Sequence, residues 1–356
     1  MRVMINQIPT LGIKTGIGHY TAELLAALRR CAPEHTYSEI NWGREVTMRL
    51  DRRLRWQQWE TPRRARALKA NLLHSPGFDA PLWKPCRNVL TVHDLIGALF
   101  PQNFPPVSRF YWSRWLPFTL RAADAIIADS ESTRRDIERL ARIPSDRIQV
   151  ISLGVDSRFA PASPDSVAVV RERYHLPSRF VLYVGTLEPR KGIDTLLEAF
   201  ARLTPEAAEA LVLTGQRGWR VEPLLKRLND PALRGRVQLL DYVPDADLPA
   251  LYSAASVLTL PSRYEGFGLP VLEAMACGTP VVCSNASSLP EIAGDAALRL
   301  PPDDVAALSE ALNAVLMNLA LAADLREKGL RRAKRFTWED TARQTLDVYK
   351  QIVDGR

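Results

Sequence analysis

The chain is short of cysteine. Its 356 residues hold four, Cys31, Cys86, Cys277 and Cys283, and no two form a C-x-x-C pair. That excludes a disulfide framework and a thiolate zinc site. It fits a reducing compartment in which all four act as small buried hydrophobes. No apolar run approaches the length of a bilayer span, and Met1-Arg2-Val3 reads as the start of a strand rather than of a signal peptide. No G-x-x-x-x-G-K-S/T loop is present, which argues against an ordinary P-loop nucleotidase. No G-x-G-x-x-G follows the first strand, which weakens a nicotinamide enzyme. Low-complexity tracts and short-period repeats are also missing. The basic stretches lack a nucleic-acid-binding motif around them, so nucleic acid is a poor partner.

What remains is the composition of a soluble globular protein, 46% hydrophobic and 24% charged, and too long for one ordinary core. The net charge of +7 favours acidic partners such as phosphates or anionic lipid. That charge is uneven. Between Arg49 and Lys69 there are eight basic residues against Asp51 and Glu60, with Trp56 and Trp59 among them. Arg109-Phe-Tyr-Trp-Ser-Arg-Trp-Leu-Pro-Phe118 mixes basic and aromatic residues again. Two readings stand side by side. One is peripheral contact with an anionic membrane; the other is a solvated helix face whose aromatics pack inward.

Strand-like runs alternate with helical patterns almost throughout. Val3–Ile5, Leu72–His74, Val89–Val92, Ala125–Ala128 and Ile148–Leu153 read as strands. A glycine-containing loop, Gly12 to Gly18, follows the first, and Ser130 is placed to cap a helix running toward Ala141. Phe159-Ala-Pro-Ala-Ser-Pro-Asp165 reads as a linker, after which the alternation restarts at Phe180–Val184. The fold class expected is α/β, with two Rossmann-like doubly wound domains facing across a cleft: residues 1–160, residues 161–335 and a last helical segment, 336–356.

The chemistry concentrates in the second domain. Leu258 to Cys283 runs from an apolar strand through a loop with Glu265, Gly266 and Gly268 to a helix opened by Pro270 and closed by Gly278. Glycines ahead of a helix N-terminus let a phosphate reach backbone N–H groups. Glu265 and Glu273 bracket that turn. Tyr183-Val-Gly-Thr-Leu-Glu-Pro-Arg-Lys-Gly192 puts Gly185 at a strand end and Arg190 and Lys191 in the loop beyond, well placed for a diphosphate unless they are solvated loop charges. In the first domain His93 lies just past a strand, where it can bind a sugar hydroxyl or serve structure alone, while Asp94 caps the next turn. Gly16 and Gly18 could admit a phosphate or sugar close to the backbone. Asp245 and Asp247 have a spacing some metal sites use, but they precede a helix and fit a capping role.

These residues carry a resemblance. The chain resembles glycosyltransferase family 4, retaining enzymes of the two-domain GT-B fold. Glu265-Gly-Phe-Gly-Leu-Pro-Val-Leu-Glu273 fits its E-x7-E motif without gaps, and Ala274 to Pro280, Gly185 to Gly192, Val92 to Asp94, Ser130 to Ser132 and Gly154 to Asp156 stand in the family order. The resemblance implies a nucleotide-diphosphate sugar donor in the second domain and an acceptor in the first. It implies that Arg190 and Lys191 hold the diphosphate, Glu265 touches the sugar, Phe267, Gly268 and Leu269 line the sugar and phosphate site, Glu273 binds the ribose, Val243 and Leu248 border the base, and His93 faces the sugar. The segment from Trp338 to Val353 would cross back onto the first domain. No metal or other cofactor is expected, since the two cations and helix N-termini can offset the diphosphate charge.

Thr91–Ile96 followed by Phe100-Pro101 looks like the mannosyltransferase branch that builds bacterial polysaccharides and O-antigens. That makes GDP-mannose or a GDP-deoxyhexose such as GDP-rhamnose the first choice of donor and UDP-glucose the runner-up. The acceptor would be a glycan or lipid-linked glycan, with the protein cytoplasmic or peripheral at the inner face of the membrane. A sugar-nucleotide 2-epimerase shares the fold but lacks the E-x7-E loop. A non-catalytic scaffold would show a degenerate motif, and this one is complete.

Overall fold

A computed structural model describes residues 1–6, 16–40, 50–77, 79–104, 106–219 and 221–355. The chain forms two compact units: unit 1 is Met1–Gly154 with Thr337–Arg356, and unit 2 is Val155–Phe336. Unit 1 is built on β1 (Arg2–Asn6), β2 (Thr36–Ile40), β3 (Leu72–Ser75), β4 (Arg87–Val92), β5 (Ala125–Ala128) and β6 (Ile148–Val150), in the sheet order β2-β1-β3-β4-β5-β6. Unit 2 is built on β7 (Phe180–Val184), β8 (Ala210–Thr214), β9 (Val237–Leu239), β10 (Val257–Leu260), β11 (Val281–Ser284) and β12 (Ala297–Leu300), in the order β12-β11-β10-β7-β8-β9. The pairings are parallel in both sheets. The central strands are apolar end to end and buried on both faces, as parallel strands covered by helices must be; Phe180 to Tyr183 and Val257 to Leu258 are fully out of solvent. Each unit is thus Rossmann-like.

Several sequence expectations shift. β2, Thr-Tyr-Ser-Glu-Ile, escaped notice because it is a polar, half-exposed edge strand with no apolar run. Gly16 and Gly18 are not in a loop: they open the helix Gly16–Cys31, with Gly18 buried, and Gly12 lies outside the described residues. The Pro/Ser-rich stretch is packed rather than free. Val155 N–H donates to the Phe336 carbonyl at 3.0 Å, Phe159 packs against Tyr252, and Ser163 caps the helix Pro164–Arg173. The divide between units therefore falls at residue 154, before that stretch. Cys277 and Cys283 are buried as expected, but Cys31 is exposed and Cys86 half-buried; all four are free thiols.

The helix Trp338–Asp354 packs on Gly16–Cys31 within unit 1. Its Thr337 N-cap accepts from Asp340 N–H at 3.1 Å, and Thr341 Oγ1 donates to the Ser152 carbonyl at 2.8 Å. Two further helical stretches of unit 1, residues 50–67 and 106–122, each contain a π-helical turn, Trp56–Glu60 and Tyr111–Trp115. In both, a proline follows closely, Pro62 or Pro117, and its missing N–H cannot complete the ordinary ladder, so the preceding turn widens. Asp79 ties the two stretches together. Its carboxylate takes Arg53 Nε at 3.1 Å on one oxygen and the Tyr111 hydroxyl on the other.

Candidate active site

The chemistry-bearing loops of unit 2 follow β7 and β10, which are neighbours in the sheet. Parallel pairing of Leu258 with Leu182 brings the two strand ends, and hence the loops, side by side. After β7, Pro189–Lys191 makes a 3₁₀ turn and Gly192 follows at φ 67°. A Cβ at Gly192 would stand 2.2 Å from the Pro261 carbonyl oxygen, so only glycine lets these loops touch. Arg263 N–H then donates to the Arg190 carbonyl at 2.8 Å, and the Arg263 guanidinium pairs with Asp194 and Asp303.

The functional side chains meet in this seam. Lys191 Nζ donates to both Glu265 oxygens, at 2.6 and 2.8 Å, and Ser262 Oγ donates to Glu265 Oε1 at 2.7 Å. Arg190 reaches Glu188 at 2.5 Å, Glu265 at 3.5 Å and the Tyr264 carbonyl at 2.9 Å. The Arg190 and Lys191 side chains are only 13% and 10% exposed, which rules out solvated loop charges. Burial resists the Glu265 charge, but Lys191 first and Arg190 next outweigh it and hold the carboxyl below the ordinary glutamate range. Burial and Arg190 press Lys191 below the ordinary lysine range, opposed by Glu265. The result is a buried Lys191–Glu265 pair flanked by Arg190 and Glu188.

Serines that the sequence reading passed over hold the Glu265 loop from behind. Ser287 sits in the left-handed region at φ 49°, and its Oγ accepts the Glu265 N–H at 2.7 Å. Ser288 Oγ donates to the carbonyls of Phe267 at 2.7 Å and Glu265 at 3.0 Å, and Ser284 Oγ donates to that of Ser262 at 2.5 Å. Ser262, Ser284 and Ser288 are fully buried. The available signal was the Ser-Asn-Ala-Ser-Ser run at the end of β11, the strand beside β10. Gly268, at φ 108°, then starts the helix Leu269–Ala276 with Pro270 in its first turn. Phe267 is buried, and Gly266 and Leu269, the latter at the helix start, are half-buried.

Glu273, one turn into that helix, does not join the ionic cluster. Its Oε2 accepts from the Tyr252 hydroxyl at 2.7 Å. Burial pushes its carboxyl up to about 7, helped by Asp245 and Asp156 and opposed by Tyr252 and Arg158. Of the other positions expected here, Gly185 continues β7, its N–H donating to the Thr214 carbonyl at 2.9 Å, Val243 is buried, and Leu248 begins the helix Leu248–Ala254. Asp247 stands at the cap position of that helix but does not cap it. Its carboxylate is taken by Arg173 at 2.6 and 2.7 Å and by the Tyr174 hydroxyl at 2.6 Å. Among the described residues no group of three His, Cys, Asp or Glu side chains could hold a metal ion.

In unit 1, Val92 lies opposite Ala128, so the next residues of the two parallel strands, His93 and Asp129, emerge together. His93 Nδ1 meets Asp129 Oδ2 at 2.5 Å. Burial opposes a charge on the ring, but the Asp129 carboxylate outweighs it and raises His93 above the ordinary histidine range. Thr133 Oγ1 donates to the His93 carbonyl at 3.2 Å, Ser130 caps the helix Glu131–Ala141 as expected, and Asp94 accepts the Ile96 N–H at 3.1 Å. Asp129 was missed because nothing local marks it; only the strand register does.

The family described as glycosyl transferases group 1 matches residues 171–332, and that described as Glycosyltransferase Family 4 matches residues 16–159. The chain is 40% identical over 290 residues to an Escherichia coli protein named O-antigen chain mannosyltransferase B, covering 81% of this chain and 76% of that one. It is 32% identical over 291 residues to the Escherichia coli serotype-specific mannosyltransferase WbdA, covering 79% of this chain but only 35% of that one. Among solved structures, sucrose-phosphate synthase from Thermosynechococcus elongatus matches with a TM-score of 0.79 at 24% identity over 100% of both chains, a likeness of fold of the GT-B kind.

Two outcomes follow from the geometry. Lys191→Ala strips a buried carboxylate of its counter-ion, so it should lower stability by about 3 kcal/mol as well as turnover. In Lys191→Met/Glu265→Gln the melting temperature should recover while turnover does not; joint recovery would remove the pair from the site. Glu273 holds its proton in the folded chain up to about pH 7, whereas the ordinary value is 4.5. Its contribution to stability is therefore complete in acid and lost as pH rises through 7. Glu273→Gln should match the parent's stability at pH 4 and exceed it at pH 8 by up to about 3 kcal/mol, read as a higher melting temperature. A difference that does not vary with pH would show that Glu273 does not titrate there.

Proposed function

The chain belongs to the glycosyltransferases, in the group 1 and family 4 lineage, and from that premise we propose that it moves mannose from GDP-mannose to a glycan or lipid-linked glycan during synthesis of a cell-surface polysaccharide of the O-antigen type. The buried Lys191–Glu265–Arg190 cluster on the clamped E-x7-E loop is the observation that carries the transfer chemistry. The likeness to proteins named mannosyltransferases supports the choice of sugar. Arg190 and Lys191 are assigned to the diphosphate, Gly268 and Leu269 to the phosphate and sugar beside them, Glu265 to the sugar hydroxyls, Glu273 to the ribose and His93 to the sugar. As the sugar–phosphate bond breaks, charge grows on the departing phosphate, and fixed cations in a water-poor site stabilise it without reorganising. No metal is needed in this scheme.

Retention of the anomeric configuration follows if the departing phosphate takes the acceptor's proton and the acceptor attacks from the same face. Glu265 is a poor nucleophile for the alternative, a covalent glycosyl intermediate, because Lys191 engages both its oxygens and Ser262 donates to one. A panel of GDP- and UDP-sugars tests the donor: GDP-mannose should raise the melting temperature most and be slowly hydrolysed. A response to UDP-glucose alone would overturn the choice, and a glycosyl adduct on Glu265 found by mass spectrometry would overturn the mechanism.

A membrane-bound acceptor is supported by the surface of unit 1. Arg52, Arg55, Trp59, Arg63 and Arg66 are all exposed at helical spacing, and Trp59 is 59% exposed with Arg63 stacked on its ring. On residues 106–122 the exposed stripe is Val107, Phe110, Arg114, Phe118 and Arg121. Trp56 and Tyr111 pack inward, but Phe110 and Phe118, 64% and 53% exposed, do not. Outward aromatics among arginines fit an anionic bilayer better than a plain solvated face. Among the described residues no single helix is long and apolar enough to cross a membrane. We propose a peripheral position at the cytoplasmic face, held by these two stripes. Arg53 is tied to Asp79, so the informative variant spares it: Arg55, Arg63 and Arg66 changed to Glu should weaken binding to phosphatidylglycerol vesicles at least tenfold. Undiminished binding would leave only the solvated-face reading.

A further inference from the structure

Unit 1 buries a chain of hydrogen-bonded polar side chains. The Tyr349 hydroxyl meets His74 Nδ1 at 2.5 Å, His74 Nε2 meets Thr91 Oγ1 at 2.8 Å, and Thr91 Oγ1 meets the Tyr20 hydroxyl at 2.9 Å. All four residues are at most 1% exposed. They come from four elements: the helix Trp338–Asp354, β3, β4 and the helix Gly16–Cys31. Burial, with His93 adding to it, presses His74 down to about 3, so its ring is neutral and carries one N–H. One ring nitrogen then donates and the other accepts, so the two bonds at His74 run in the same sense. Apolar residues would fill this space at lower desolvation cost, so the network needs another reason.

Its far end supplies one. The Tyr20 ring stands edge-on to the His93 ring, centroids 4.7 Å apart at 76°, and also packs against Trp338 at 6.0 Å. Asp129 holds His93 at Nδ1 and the Pro76 backbone also engages the ring, while the Tyr20 ring packs against it from the side. Thr91 and His93 are two residues apart on the same strand and its extension, so the hydroxyl that anchors Tyr20 moves with the residue Tyr20 orients. We infer that Tyr349, His74, Thr91 and Tyr20 form a positioning network that sets the His93 ring, through which the helix Trp338–Asp354 controls a residue of the transfer site. This rests on the assignment of His93 to the transferred sugar.

Tyr349→Phe and Tyr20→Phe each remove one hydroxyl and keep the ring, at opposite ends of the network. Each should lower kcat about tenfold with the donor KM unchanged, a modest misplacement of one group. Each should also shift the His93 imidazole resonances, identified by their loss in His93→Ala. In the His93→Ala background neither should reduce kcat further. Unmoved His93 resonances, or an equal loss of kcat with and without His93, would overturn the network. If the resonances move but His93→Ala keeps parental activity, the network stands and the role of His93 in transfer falls. Should Tyr349→Phe fold poorly, Tyr20→Phe carries the same comparison alone.

Discussion

A buried lysine and a buried glutamate 74 residues apart in sequence organise the working end of unit 2. The pair joins the loop after β7 to the loop after β10. Lys191 and Glu265 each need the other, since either alone would be a charge stranded away from water. Everything around them serves that constraint. Gly192 lets the loops approach, Ser262 takes part of the load on Glu265, and the serines after β11 fix the backbone on which Glu265 rides. An ion pair of this kind contributes little net stability, but it holds two chemistry-bearing groups in one geometry.

Unit 1 solves a similar problem differently. His93 is set by a carboxylate from the neighbouring strand and by an aromatic edge from the first helix, and the polar chain through Thr91 and His74 connects it to the helix near residue 349. The Tyr349, His74, Thr91 and Tyr20 groups are neutral and joined by hydrogen bonds, while the Asp129 carboxylate holds His93. On the outer surface of the same unit, widened helical turns before Pro62 and Pro117 accompany aromatic residues that point both inward and outward. Asp79 locks the two helical stretches together from beneath, so the basic and aromatic stripes ride on a fixed base.

Glu273 shows how position in the fold separates two residues that one motif joins. Eight positions along the chain from Glu265, it turns to Tyr252 instead of to a cation. Glu265 is held charged by Lys191 and Arg190, while burial, only partly opposed by Tyr252 and Arg158, lifts Glu273 toward neutrality. The two glutamates share a loop and a helix but not an electrostatic environment, which suits different tasks.

The alternation of apolar runs and helical patterns was enough to read two parallel α/β units, because continuous burial of a strand on both faces leaves its mark in every residue. The Leu258–Cys283 stretch showed its strand, loop and helix in its own punctuation: Gly268, Pro270 and Gly278 act within a few residues of where they stand. Local signals failed where the answer lay across the sheet. Edge strand β2 carries too few apolar residues to announce itself. Asp247 looked like a cap and became an ion-pair partner because Arg173 and Tyr174 arrive from another helix. The sequence by itself determined the architecture, the motif residues and the class of chemistry. Only the tertiary structure decided that Lys191 pairs with Glu265, His93 with Asp129, Tyr252 with Glu273 and Tyr349 with His74. Those partnerships depend on strand register and on loops closing over tens of residues, and neither is written in the propensities of the residues that meet.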